Sequence, residues 1–392
     1  MNAQNSSVPP KKIEPKLLIV MMLFPLFMAI AYPLSFMGAS HNPAPHQMPV
    51  AIIQTTDNAQ QIAQGLEAEA EDAVEVSTVQ DVETAQEKVL RLEERAAYDP
   101  ATGDLYVASA GGPLATNAAQ SIFSEVAKQS HTELHVQNLK KPAESDSLGT
   151  AYMYGVMGAI IAGYIASTII NALGKNTKLW TKLAILLGFA VLAGITGTAI
   201  LYGFYGIYTE HLVPVALTFA AEFFAVSLFQ LGAASLLGLA SSLLGIVLFV
   251  ILGNPALGVA ITSDMMPGFF SFLHTLLPSG AAGDLTKRTL YFDHVGIGPD
   301  LLNLVLWAIL GFAMLWMGSL KTPEKGTELI DYSAEHPSEK EPLLTAYEEA
   351  SEENMKKDSD GHNPLPDTVE RSREQAPHTN LPETEKDEND LR

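Results

Sequence analysis

Residues 264–293 read DMMPGFFSFLHTLLPSGAAGDLTKRTLYFD, and the placing of this stretch decides the fold. FFSFLHTLL is too apolar for a free loop. Pro267, Pro278 and the Lys287–Arg288 pair nevertheless stop the segment from crossing a bilayer, which takes about 20 consecutive apolar residues. A segment that neither crosses the membrane nor leaves it predicts a re-entrant hairpin, here placed at 254–299.

The flanking sequence supports that frame. LLNLVLWAILGFAMLWMGSL (301–320) follows the hairpin, and LLGLASSLLGIVLFVILG (236–253) precedes it. Further apolar runs lie at 17–39, 148–173, 183–208 and 215–234. Together these predict an α-helical polytopic membrane bundle of six spans. The lysines at 11, 12 and 16, at 175, 178 and 182, and at 321 all fall on one side if both termini are cytoplasmic, as the positive-inside rule asks. A cell-membrane location follows. The apolar run at 17–39 is too long for an ordinary cleaved leader, so it reads as an uncleaved signal-anchor behind a cytoplasmic arm at 1–16.

Charge is segregated. The chain has 392 residues and a formal net charge of −21. Residues 40–147 hold 17 acidic and 6 basic side chains, and 322–392 hold 20 and 8, so the acidity belongs to what projects into water. No basic stripe is present to neutralise phosphates, which argues against a nucleic-acid partner. With no cysteine, thiolate chemistry, disulfides and Cys-ligated metal are excluded. The 321–392 tail, rich in Glu, Asp, Pro and Ser, is expected to be disordered and cytoplasmic.

Residues 40–147 alternate strand and helix signals. MPVAIIQTT (48–56), VEVSTV (74–79), LYVASA (105–110) and LHVQNL (134–139) read as strands. The stretches 58–71, 81–96 and 112–129 read as helices, the second with Val82, Ala85, Val89 and Leu92 on one stripe. The expectation is an extracytoplasmic α/β domain with a largely parallel sheet, inserted between spans one and two.

Few residues offer chemistry. Glu222 is the one formal charge inside a predicted span, and such residues normally face a bundle interior, a cavity or a partner. Gln230, two turns further on, is its possible polar neighbour, and the two are the candidate transport path. His274 has no second histidine at ligand spacing and reads as a packed residue. Small residues four apart (Gly155, Ala159 and Gly163; Ala234, Gly238 and Ser242) read as helix-packing positions. No phosphate-binding loop, nucleophile elbow or zinc motif occurs, so no catalytic residue, metal or cofactor is expected, and the chain reads as no enzyme.

GNPALG (253–258), the run 267–293 and LLNLVLWAILG (301–311) resemble the permeases of type-2 ABC exporters. PVAIIQ (49–54), AAYDPATGDLYVASA (96–110) and KPAESDSLGTAYMYG (141–155) narrow the resemblance to actinobacterial permease-like proteins akin to the phage infection protein family. The resemblance covers residues 17–320 and lacks the coiled-coil insertion of larger relatives. It implies a membrane subunit that exports a hydrophobic or amphiphilic compound, pairs as a homo- or heterodimer in the bilayer, and is driven by a separate ATPase. GKNTKLWTK (174–182) is then the candidate ATPase contact, through Lys175, Lys178, Trp180 and Lys182. The alternative is a non-transporting envelope scaffold or receptor acting through the outer domain.

Overall fold

The computed structural model describes residues 15–173, 177–207, 210–238 and 240–321. Lys11, Lys12, Lys175 and the acidic tail lie outside the described residues, as does the disorder expected of that tail.

Helix α1 (Pro15–Ser40) leads into a five-stranded sheet. Its strands are β1 (Met48–Ile53), β2 (Val74–Val79), β3 (Ala96–Tyr98), β4 (Asp104–Val107) and β5 (His135–Asn138), in the order β2-β1-β3-β4-β5. β1 pairs in parallel with β2 and β3, β4 is antiparallel to β3, and β5 is parallel to β4. Period-two alternation sends Val50 and Ile52 to one face and Ala51 and Ile53 to the other, and all four are fully buried. Helices α2 (Ala59–Ala70) and α4 (Pro113–Gln129) pack on the first face, and α3 (Val82–Leu90) on the second. A sheet covered on both faces is the parallel-sheet arrangement the sequence predicted.

One expectation there is corrected. The helix predicted over 81–96 ends at Leu90, and β3 occupies 96–98. Asp81 caps the helix by accepting from the Thr84 N–H at 2.8 Å. The amphipathic stripe ran on to Leu92, but Leu92 adopts φ +57°, a turn conformation that ends the helix. Ala-Ala-Tyr is too short to show an alternation.

Among the described residues, five helices are long and apolar enough to cross a membrane. They are α1, α5 (Tyr152–Leu173), α6 (Leu179–Gly203), α7 (Leu212–Leu237) and α11 (Gly298–Lys321). The fifth of the six predicted spans is shorter than expected. Helix α8 (Ala240–Gly245) widens into a π-helical stretch, Ile246–Leu252, so the apolar helix covers only Ala240–Leu252. The apolar runs predicted at 215–234 and 236–253 are parted at Gly238, whose φ of +59° makes it a helix stop rather than a packing position.

Helix α7 is the hub, packed against α5, α6, α10 and α11 and buried at every position from Ala225 to Ala234. Close backbone approach makes this possible. A Cβ on Gly163 would lie 2.8 Å from the Phe223 carbonyl oxygen, and one on Gly232 would lie 2.2 Å from that of Gly311. The predicted small-residue positions of α5 therefore do pack, as association without a hydrophobic drive requires.

The opening stretch folds as a hairpin of α9 (Gly268–Leu276) and α10 (Pro278–Tyr291). The break between them falls at Leu277, which is extended. Pro278 begins α10, a position where its missing N–H costs nothing.

Candidate functional site

Two bonds set the register between α7 and α10. His211 Nε2 lies 3.0 Å from Asp293 Oδ1, and the Thr286 hydroxyl donates to Thr218 Oγ1 at 3.4 Å. The helices therefore run antiparallel, and one more turn along α7 brings Glu222 level with Ala282, at the start of α10. Glu222 is fully buried, and neither of its carboxylate oxygens has a hydrogen-bond partner among the described residues. A buried polar group left unpaired costs about 1–3 kcal/mol. Such a group in a native fold calls for a role that the surrounding side chains do not supply.

Gln230 is equally buried but does a different job. Its Nε2 donates to the Ser241 carbonyl at 3.1 Å, tying α7 to α8 across the Gly238 turn, while its Oε1 is unpartnered. Eight residues of helix separate it from Glu222, about 12 Å along the axis. The two share a helix and not a contact.

Sequence reasoning missed a third polar centre. His274 Nδ1 lies 2.9 Å from the Ala256 carbonyl, and its Nε2 lies 3.1 Å from Asp284 Oδ2. Both ring nitrogens thus face acceptors, which an imidazole satisfies only when both carry protons. Lys287 Nζ donates to Asp284 Oδ1 at 2.8 Å and to the Gly258 carbonyl at 3.3 Å. Burial alone would raise the Asp284 carboxyl, but the facing Lys287 and His274 charges hold it well below its ordinary range. Burial likewise works to lower His274, and Asp284 more than reverses that. This network closes the hairpin onto the 256–258 turn. The signal for it was the Asp-x-x-Lys spacing of 284–287 on one helix face, ten residues beyond the histidine.

A second ion pair joins the hairpin to the α/β domain. Arg95, beside β3, donates from Nε to Asp264 Oδ2 at 2.8 Å and from Nη2 to Oδ1 at 2.9 Å, a two-pronged grip. Met265 is buried in the core of the α/β domain beside Ala115 and Phe123.

Three of the four residues expected to meet a motor are among those described. Lys178 stands at the start of α6, and Trp180 and Lys182 are in its first turn rather than on a loop. Trp180 is 74% exposed and lines the end of an apolar groove between α6, α7 and α11. Among the described residues no cluster of His, Cys, Asp or Glu could hold a metal ion.

A five-helix apolar bundle with a hairpin packed on its central helix is the geometry against which comparison with known proteins is informative. The family model described as ABC-2 family transporter protein matches residues 15–317. The chain belongs to that family. It is a multi-pass membrane protein of the ABC-2 transporter type, and the match takes in α1, the α/β domain, the bundle and the hairpin alike. No curated protein matches, and no solved structure does.

Proposed function

We propose that this ABC-2 family protein is the permease half of an exporter that moves a hydrophobic or amphiphilic compound, with energy from a separate ATPase. The observation that carries the reading is Glu222, an unpartnered carboxyl buried on the central helix where the start of α10 meets it. In this reading Glu222 lines the path and Gln230 holds the turn beneath it. The hairpin and the α/β domain, joined through Arg95–Asp264, form the outer gate.

The finer topology belongs to the same proposal. The α/β domain lies outside the cell membrane, both termini lie inside, and Ala240–Leu252 with the 253–258 turn completes a sixth, broken passage. Non-helical backbone at that depth is tolerated when protein covers it, and the Leu257 carbonyl is packed against Gly283 of α10. The Lys178–Lys182 segment is the motor contact, and two permease chains pair. Kinship with the phage infection protein group is part of the reading as well.

The test is purification of the full chain in mild detergent and identification of what accompanies it. A stoichiometric ATPase with a phosphate-binding loop is the expected result, and Glu222→Gln is expected to abolish export while that complex still assembles. Recovery of envelope proteins alone, across several detergents, would replace the exporter by a scaffold or receptor working through the α/β domain.

A further inference from the structure

The apolar groove that begins at Trp180 does not end at mid-helix. Two stretches of it, of about 690 and 460 Å³, share Leu187 of α6, Ala221 and Phe224 of α7 and Leu301 of α11. They form one slot with α7 as its floor and α6 and α11 as its walls. Each stretch has the size of a ligand site, and no Lys, Arg, Asp or Glu lines either.

The chemistry changes only at the end nearest the α/β domain. There the slot is lined by Thr289 of α10 and by His294, just beyond that helix. Thr289 is 1% exposed, and its hydroxyl oxygen has no hydrogen-bond partner among the described residues. The Nε2 of His294 is buried and equally unpartnered, while the His294 ring packs edge-on against His211 with centroids 4.6 Å apart. The neighbouring cation is already engaged. Arg288 donates to the Arg91 and Val295 carbonyls at 3.1 Å each and faces Asp300 at 3.5 Å.

A long apolar slot that ends in two free hydrogen-bonding atoms, with no charge on its walls, has the shape of an amphiphile. We propose that the slot is a binding site for an uncharged, hydroxyl-bearing, alkyl-chained lipid of the bilayer. The chain lies along α7 between Leu187 and Leu301, and the head group bonds to Thr289 and His294. This deepens the export reading by naming the substrate class, and it rests on that reading only for its purpose, since binding requires no ATPase. The site is distinct from Glu222, which lines neither stretch.

The test uses the purified full chain in phosphatidylcholine nanodiscs, with a 16-carbon monoacylglycerol carrying a diazirine on its chain as probe. Photolysis followed by peptide mapping is expected to label α6 and α11 beside the slot, and unlabelled monoacylglycerol is expected to compete. Thr289→Val together with His294→Phe should cut this labelling at least fivefold, and Thr289→Ser, which keeps the hydroxyl, should not. Labelling of the lipid-facing side of α1, at Leu26 and Ile30, should stay constant and so report that the protein remains folded. Uniform, uncompeted labelling of α1 and the slot would mean ordinary surrounding lipid and would overturn the proposal. So would cross-links between two copies through Leu187 and Leu301, which would make the slot a dimer contact. Equal competition by lysophosphatidylglycerol would overturn the choice of an uncharged head. Because no motor is present, loss of binding would be seen separately from loss of export.

Discussion

Two carboxyl groups give opposite expectations at the level of single residues. Glu222 holds nothing in place, so Glu222→Gln should leave thermal stability within about 1 kcal/mol of the parent while removing transport, as read by unfolding in detergent and by efflux. Asp284 holds two cations, and Asp284→Asn leaves both buried beside a neutral amide. The expected loss is about 3 kcal/mol, read by the same unfolding assay. The hairpin network also predicts a pH dependence. His274 is raised above 6.5, so its stabilisation is complete below that value and is lost as pH rises through the folded value. Asp284 is held well below 3.8, so its contribution is present above that value and fades only as pH falls beneath it. Unfolding temperature should therefore fall as pH rises above 6.5, and His274→Gln, which cannot titrate, should flatten the fall.

For the elements, close approach and clamping set the expectations. Gly311 touches the backbone of Phe229, so Gly311→Leu must push α11 off α7, at a cost of about 1–3 kcal/mol. Gly158 on α5 meets nothing within 4 Å, and Gly158→Leu should be silent in the same unfolding assay. Arg95→Ala should free the 258–267 segment, seen as faster amide exchange there and around β3 with little change in α5 or α6. The sequence made some elements plain and hid others for physical reasons. Strands β1 and β2 stood out because they are six residues long and rich in β-branched residues. β3 was hidden because three residues cannot show a period, and its neighbours continue the stripe of a helix. The span at 236–253 looked like its peers by composition, since hydropathy does not register a helix that widens after six residues. Glu222 was legible as a lone charge in an apolar run. The His274–Asp284–Lys287 network was not, because its parts lie on two helices whose antiparallel return only the fold supplies.

Across the whole molecule, the absence of cysteine turns topology into a direct experiment. Single cysteines in place of Glu67 in α2, Lys178 at the head of α6 and Gly238 in the α7–α8 turn can be probed with an impermeant maleimide on intact cells. The expected pattern is labelling of the Glu67 position at once, and of the other two only after permeabilisation. Labelling of the Gly238 position on intact cells would move the α7–α8 turn to the same side as the α/β domain and remove the broken sixth passage.

The burial of Met265 and the Arg95–Asp264 pair also fix an order of events at the ribosome. The α/β sheet is complete by Asn138, yet a piece of its core is encoded more than a hundred residues later. At a synthesis rate of about 5–20 residues per second, the sheet waits roughly 6–25 s for that piece to arrive. Through that interval Phe123 and its neighbours lack their cover, and three membrane-length helices, α5, α6 and α7, must be inserted before it comes. Maturation of the domain is thereby timed by insertion of the bundle. A nascent chain released before residue 265 should leave the domain open to protease, and one released just after residue 277 should close it.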